Sequence, residues 1–390
     1  MKKIGLVLAY KSSNYGAQLQ AYATQMMIDS LGLDTEIVEY PLNGKLENAQ
    51  FSWGLLYEVV RLIRSKKRQS RERTSDDPVF TKEKKLRKNI SNDFISRRLH
   101  DVKHIEGYNN LVNAGKCYDA VLIGSDQKWL PGFSFWKPST FAFVSDKVRR
   151  ISYATSLGVS EYPKYCWPTA RKAWRSMNYL SVREEQGAEI IRQVCGNDIN
   201  VEVVADPTYL LSKEKWEEVV PIEKKTDEKY VLCYFLGNSV KSKEIARQFA
   251  DAKGLKLYSI LSVESISPID QTFADTLITG AAPEDFINWI RGAEYVITDS
   301  FHGLTFSVIN EKQFYVFYRK RDGVQSRNSR IDNILKKWDV ENRLVSTDTE
   351  VNSLLNIADI DYQNVSRLVE TEREHSLCFL KKALTFNDNK

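Results

Sequence analysis

Glu294-Tyr295-Val296-Ile297-Thr298-Asp299-Ser300-Phe301-His302-Gly303-Leu304-Thr305 reads as a short apolar strand that stops at an acid and gives way to a helix near Gly303. Units of this kind, repeated along a chain, build a parallel sheet with helices on both faces. In open sheets of that class ligands sit outside the carboxyl ends of the strands, which makes Thr298 to Gly303 a candidate site. His302 falls at the strand-to-helix turn, where backbone N–H groups converge and anions are favoured. The chain has four histidines, and His100, His104 and His375 lie in charged or tail sequence without such a setting. The position favours proton transfer near neutral pH over a structural role for His302.

The same alternation extends outward in both directions. Ile4–Tyr10 is a first strand, followed by a polar loop and a helix with Leu19, Tyr22, Ala23, Met26 and Ser30 on one face, ended by Gly32. Thr35–Tyr40, Tyr118–Ile123, Arg150–Ser156, Tyr179–Val182 and Val201–Ala205 continue the first half. A charged stretch, Glu214 to Lys229, is expected to divide the chain. Tyr230–Leu236, Leu257–Leu261 and Gln313–Tyr318 join Tyr295–Thr298 as strands of the second half, with a helix at Pro283–Arg291. The 390 residues exceed the usual reach of one hydrophobic core. The expectation is an α/β protein with an N-terminal domain over 1–213, carrying a basic helical insert at about 45–110, and a C-terminal domain over 228–360. A closing helix within 361–390 is expected to pack back on the first domain.

Composition narrows the class. Apolar runs of about 5–8 residues fall far short of a membrane span. Lys2 and Lys3 before an apolar run could suggest a signal peptide. The polar Lys11-Ser12-Ser13-Asn14 that follows has no cleavage pattern, so a first strand and a cytoplasmic protein are expected. Five cysteines without a Cys-x-x-Cys pair argue against a disulfide framework and a zinc site. The His100/His104 pair has metal-ligand spacing, but Asp101 stands where the zincin pattern needs Glu, and no metal site is assigned. Arg61 to Lys88 holds 12 Lys/Arg against 4 Asp/Glu in a chain of net charge +5. That run is either a solvated helical face or a patch for an anionic membrane surface or phosphate-bearing substrate. It lacks the interleaved aromatics and motif of a nucleic-acid binder.

Two further loops carry chemistry. Lys11-Ser12-Ser13-Asn14-Tyr15-Gly16-Ala17-Gln18 has neither a dinucleotide nor a Walker spacing. Its amides and hydroxyls suit a sugar or a phosphate at a helix start, or an ordinary capped turn. Gly124-Ser125-Asp126-Gln127-Lys128-Trp129 offers an acid, an amide and an indole that can bind and stack on a pyranose, or a helix cap with a packed Trp. Tyr318-Arg319-Lys320-Arg321-Asp322-Gly323 and Arg327-Asn328-Ser329-Arg330 place cations just beyond a strand end, and Arg183 ends another strand.

Ser13-Asn14-Tyr15-Gly16-Ala17-Gln18-Leu19-Gln20-Ala21-Tyr22, Tyr118 to Trp129, Ser181-Val182-Arg183-Glu184, Ala205-Asp206-Pro207-Thr208 and Asp299-Ser300-Phe301-His302-Gly303 are individually weak signals. In this order and spacing they resemble the polysaccharide pyruvyl transferase family over most of the chain. The resemblance implies two Rossmann-like domains around a central cleft, as in GT-B glycosyltransferases. It implies transfer of pyruvate from phosphoenolpyruvate onto two hydroxyls of one sugar, giving a cyclic ketal and phosphate, in bacterial capsule or exopolysaccharide biosynthesis. No cofactor is required. The expected acceptor is a sugar or a lipid-linked oligosaccharide; the basic segment is read as helping the protein approach it at the inner membrane face, and no nucleic-acid partner is expected. His302, Arg183 and Asp126 are the implied catalytic residues. Arg183, Ser300, Phe301, His302, Gly303, Arg319, Arg321, Asn328 and Arg330 are assigned to the donor. Ser13, Asn14, Tyr15, Gln18, Ser125, Asp126, Gln127 and Trp129 are assigned to the acceptor. Some family members carry a donor-contacting Arg where this chain has Ser300, so the clamp falls to Arg183, Arg319, Arg321 or Arg330. The nearest rival is a nucleotide-sugar glycosyltransferase that uses Glu284 or Asp285 on a ribose; a non-catalytic carbohydrate-binding protein is the more distant one.

Overall fold

The computed structural model describes residues 2–40, 48–50, 52–60, 78–264, 267–319 and 328–386. Among the described residues thirteen strands form two sheets, every named pairing parallel. The first holds β1 (Lys3–Val7), β2 (Asp34–Glu39), β3 (Val102–His104), β4 (Ala120–Ile123), β5 (Arg149–Thr155), β6 (Tyr179–Val182) and β7 (Glu202–Val203), in the order β3-β2-β1-β4-β5-β6-β7. The second holds β8 (Tyr230–Tyr234), β9 (Lys256–Ile260), β10 (Thr276–Ile278), β11 (Tyr295–Thr298), β12 (Gln313–Phe317) and β13 (Leu344–Val345), in the order β10-β9-β8-β11-β12-β13. The central strands are apolar along their whole length, as strands covered on both faces must be. Strand order reverses between β1 and β4 and again between β8 and β11, so each sheet opens a crevice where those two strands end. The loops after β1, β4 and β11 are the three singled out in the sequence.

One apolar cluster runs through both sheets. Tyr15, at the start of the helix Tyr15–Ser30 of the first sheet, stacks on Phe286 of the second with ring centroids 4.7 Å apart. Trp216, fully buried, meets Tyr22 on one side and Phe306 on the other, at 6.2 and 5.2 Å.

Several expectations are corrected. The charged stretch 214–229 is not all linker, because Ser212 caps a helix at Lys213–Val219 that inserts Trp216 into the core. Strand β3 falls inside the segment read as an insert, which also holds a helix over 53–60 and the long helix Pro78–Arg98. That helix reaches the second sheet: Arg87 Nη2 donates to the Leu261 carbonyl at 3.1 Å, and Glu83 accepts from Gly280 N at 2.8 Å. Residues 61–77 of the basic segment lie outside the described residues. The tail helix Tyr362–Leu384 lies against the first sheet, where Ser376 Oγ accepts from Ala205 N at 2.8 Å and Phe379 meets Tyr153. His100 and His104 do not share a helical face. Their rings bond to Asp29 and Asp101, and to Glu39, and no group that could hold a metal ion occurs among the described residues.

Candidate active site

Strand β6 delivers Arg183, whose side chain is 2% exposed, into the junction between the sheets. Its Nη1 donates to Asp206 Oδ2 at 2.6 Å and to Ser125 Oγ at 3.2 Å, and its Nε to Glu184 Oε1 at 3.3 Å. Asp206 is itself oriented by Thr208, which donates from its backbone N and its hydroxyl at 3.1 and 2.8 Å. Asp126 Oδ1 stands 3.8 Å from Arg183 Nη2, on a residue with φ of +77°, a conformation that Asp tolerates better than most side chains. Three carboxylates therefore share the Arg183 charge. Its Nη2 is buried and has no hydrogen bond.

From the second sheet, β11 runs into the helix Phe301–Ile309, so His302 stands in the first helical turn rather than in the turn before it. Ser300 causes this start: its Oγ accepts from Gly303 N at 3.2 Å as the N-cap. A Cβ on Gly303 would lie 2.6 Å from Thr298 Oγ1, so the close packing of helix on strand requires glycine there. The His302 ring is pressed against Gly16, at the start of the helix Tyr15–Ser30, where a Cβ would come within 1.9 Å of Nδ1. Two helix N-termini, one from each sheet, thus meet at this imidazole. Each contributes a partial positive charge of about half a unit.

His302 Nε2 is buried, lacks a hydrogen bond and lies 3.8 Å from Asp206 Oδ2. Burial pushes its pKa down to about 4, with Asp206 opposing and Arg183 adding to the shift. The imidazole is therefore neutral at pH 7 and able to accept a proton. Burial opposes ionisation of both acids, yet both carboxyls are held below their ordinary range: Asp126 chiefly by the Arg183 and Arg330 charges, and Asp206 by His302 in its protonated form, Arg183 and the Thr208 hydrogen bonds.

Two guanidiniums approach the Phe301 ring, Arg183 Cζ at 4.3 Å and Arg330 Cζ at 5.4 Å from its centroid. Arg330 sits on the helix Ser329–Lys337, which is stitched to the first sheet by Asn333 Nδ2 donating to the Arg183 carbonyl at 3.1 Å. Arg330 makes no hydrogen bond or ion pair among the described residues, and its Nε is enclosed. Burial, reinforced by Arg183, lowers its pKa to about 10. It still carries full charge at pH 7 and is an open cation among the described residues of the cluster. Arg319, by contrast, pairs with Glu264 at 3.4 Å and approaches Asp299 at 4.0 Å, while its N–H donates to Asn328 Oδ1 at 3.2 Å.

The structure thus brings together His302, Arg183, Asp126, Ser125, Phe301 and Arg330 from the residues expected at the site. Asn14 caps its helix and donates to Glu264 at 2.9 Å, and Ser13 and Gln127 are half-buried. Three expected acceptor residues point elsewhere. Tyr15 is buried with its hydroxyl on the Ala281 carbonyl, Gln18 is buried against Ser91, and Trp129 is buried between Phe133 and Trp174. Tyr15 packs at the junction between the sheets, whereas Trp129 packs within the first half. Arg321 lies outside the described residues. Asp206, Glu184, Gly16 and Lys128 were not assigned to the site. The signal for Asp206 was present, since Asp-Pro-Thr after a strand is a capped turn that fixes a carboxylate at the sheet's carboxyl end. Lys128 follows Asp126 on the same loop and donates to the Leu8 carbonyl at 3.2 Å; burial lowers its pKa to about 8.

The family model described as polysaccharide pyruvyl transferase matches residues 14–321. The chain belongs to the polysaccharide pyruvyl transferase family. It is accordingly a transferase. Arg183, Asp126, Asp206 and His302 fall within the matched part of this pyruvyl transferase family member, whereas Arg330 lies beyond it. No curated protein matches the sequence. Among solved structures, the chain is similar to the UDP-GlcNAc 2-epimerase of Methanocaldococcus jannaschii, at TM-score 0.52 and 10% identity over 95% of this chain and 99% of that one. The Neisseria meningitidis UDP-GlcNAc 2-epimerase bound to UDP-GlcNAc is similar at TM-score 0.50 and 11% identity, over 98% and 99%. A further UDP-N-acetylglucosamine 2-epimerase gives TM-score 0.54 and 10% identity over 98% and 95%. These likenesses establish the fold as two Rossmann-like units in a GT-B-like arrangement.

Proposed function

We propose that this transferase moves the enolpyruvyl group of phosphoenolpyruvate onto two hydroxyls of a sugar in surface-polysaccharide biosynthesis. The observation that carries the reading is the unpartnered, neutral His302 Nε2, enclosed beside two guanidiniums that each keep an unused N–H. A ligand with a carboxylate and a phosphate suits that surrounding, because Arg330, Arg183 Nη2 and the two helix N-termini supply the positive field. The reaction forms a C–H bond at C3 and a C–O bond from the first hydroxyl to C2. The C2–O bond to phosphate then breaks, and the second hydroxyl closes the ketal on C2. Of the two hydroxyl protons, one ends on C3 and the other leaves with phosphate. His302, neutral before binding, takes a hydroxyl proton; the bound anion raises its proton affinity and lets it hold and deliver that proton. Asp126, beside Arg183, is placed to orient a sugar hydroxyl.

No site group speaks for the nucleotide-sugar rival. Glu284 is tied to Arg97 and Arg98, and Asp285 to Lys225 and Ala282 N. The test is incubation of the protein and phosphoenolpyruvate with candidate acceptors, followed by mass spectrometry and phosphate detection. The reading expects a pyruvate-ketal adduct with stoichiometric phosphate, and His302→Gln forming neither. Transfer from a sugar nucleotide, or near wild-type turnover by His302→Gln, would overturn it.

A further inference from the structure

A helix over residues 53–60 is seated the wrong way round for a helix in water. Trp53, Leu56, Tyr57 and Val60 recur at the i, i+3, i+4, i+7 spacing that defines one helical face, and they are 89, 60, 59 and 46% exposed. Leu55 and Glu58 face the protein instead, with Glu58 accepting from the Tyr165 hydroxyl at 2.9 Å. The orientation is enforced by Gly54, where a Cβ would lie 2.6 Å from the Tyr165 carbonyl. A turn about the helix axis would break both the buried carboxylate contact and this close approach. The apolar face is held outward.

The chain passes from Val60 directly into Arg61–Arg73, whose sequence has seven Lys/Arg and one acid. We infer that the 53–60 face is an interfacial docking helix for an anionic lipid bilayer. An indole and a phenol beside aliphatic side chains suit the headgroup boundary, and an adjoining cluster of four to eight basic residues is what negatively charged lipid attracts. A second copy of the chain is the poorer occupant, since two such faces brought together would also juxtapose two basic runs. The helix rests on Phe135 and Tyr165, and the Phe135 stretch follows directly from the loop that carries Asp126. The helix is thus tied through Phe135 to the stretch that carries Asp126, and a docked chain would hold that stretch near the lipid surface. The inference stands independently of the donor chemistry.

The experiment is flotation of the full chain with phosphatidylcholine vesicles, with and without phosphatidylglycerol, at low and high salt. Binding should favour the anionic vesicles and weaken with salt. Leu56→Glu/Val60→Glu should reduce it by about tenfold or more. Trp53→Ser/Tyr57→Ser, a milder pair, should also weaken it, with an unchanged melting temperature and unchanged phosphoenolpyruvate binding in both variants. Equal binding to the two vesicle types, no binding, or variants that float like the wild type would overturn the inference. So would a solution dimer that Leu56→Glu/Val60→Glu disperses.

Discussion

Gly16→Ala separates the geometry of the site from the stability of the fold. Alanine favours a helix over glycine by up to about 1 kcal/mol, so propensity alone predicts a slightly more stable protein. The new Cβ, however, would stand 1.9 Å from His302 Nδ1 and 2.1 Å from Cγ. Ordinary contact between such atoms is about 3.5–4 Å, so the imidazole must retreat by about 1.5–2 Å. It cannot slide along its own helix, because Ser300 caps the turn and Gly303 is locked on Thr298. A catalytic group displaced by about 1 Å typically loses about a hundredfold in rate, so kcat should fall by about that factor. Phosphoenolpyruvate affinity should change much less, since Arg330 and Arg183 Nη2 do not touch Gly16. Steady-state phosphate release, calorimetric donor binding and a thermal melt read the three quantities. Gly16→Ala with wild-type kcat would refute the placement of His302 as the proton-transfer group.

Other substitutions probe the cluster singly. His302 has a pKa of about 4 when folded against 6.5 as an ordinary histidine, so the unfolded chain binds the extra proton first. Stability should therefore decline as pH falls from about 6.5 to about 4, by roughly 3 kcal/mol in total, and His302→Gln should flatten that decline in pH-dependent denaturant melts. Arg330→Ala should weaken phosphoenolpyruvate binding by about 10- to 100-fold through loss of charged hydrogen bonds, while Arg319→Ala, whose charge already faces Glu264, should weaken it far less; calorimetry decides between them. Asp206→Asn leaves Arg183 short of a buried partner and should cost about 3–5 kcal/mol in a urea melt; an unchanged midpoint would show that Glu184 and Asp126 suffice.

The central strands were legible because burial on both faces leaves an uninterrupted apolar run, as in Tyr295–Thr298 and Ala120–Ile123. The edges were not. Strand β3 is exposed throughout, β10 has three residues and β13 two, too little for any periodicity to register. At the site, position after a strand end pointed to Arg183, Asp126 and His302, and the structure brings the three together. Side-chain type alone did not place Tyr15, Gln18 and Trp129, because hydrogen-bonding and aromatic groups serve a packed interior as readily as a sugar. Arg330 could be read only as one of four cations, since what distinguishes it is the lack of a partner among the described residues. That property exists in space and leaves no trace in spacing.

The apolar cluster that runs from Leu6 and Tyr15 through Trp216 to Phe286 and Phe306 has a consequence for engineering. Modular recombination treats the two halves of such a protein as exchangeable parts. Here the seam is a fitted set of rings, so a foreign second half would meet Tyr15 and Trp216 with the wrong shapes. Chimeras should become soluble only when the residues at 286 and 306 travel with their partners at 15, 22 and 216. Acceptor preference is better altered by changing loops around a retained seam than by exchanging halves across it.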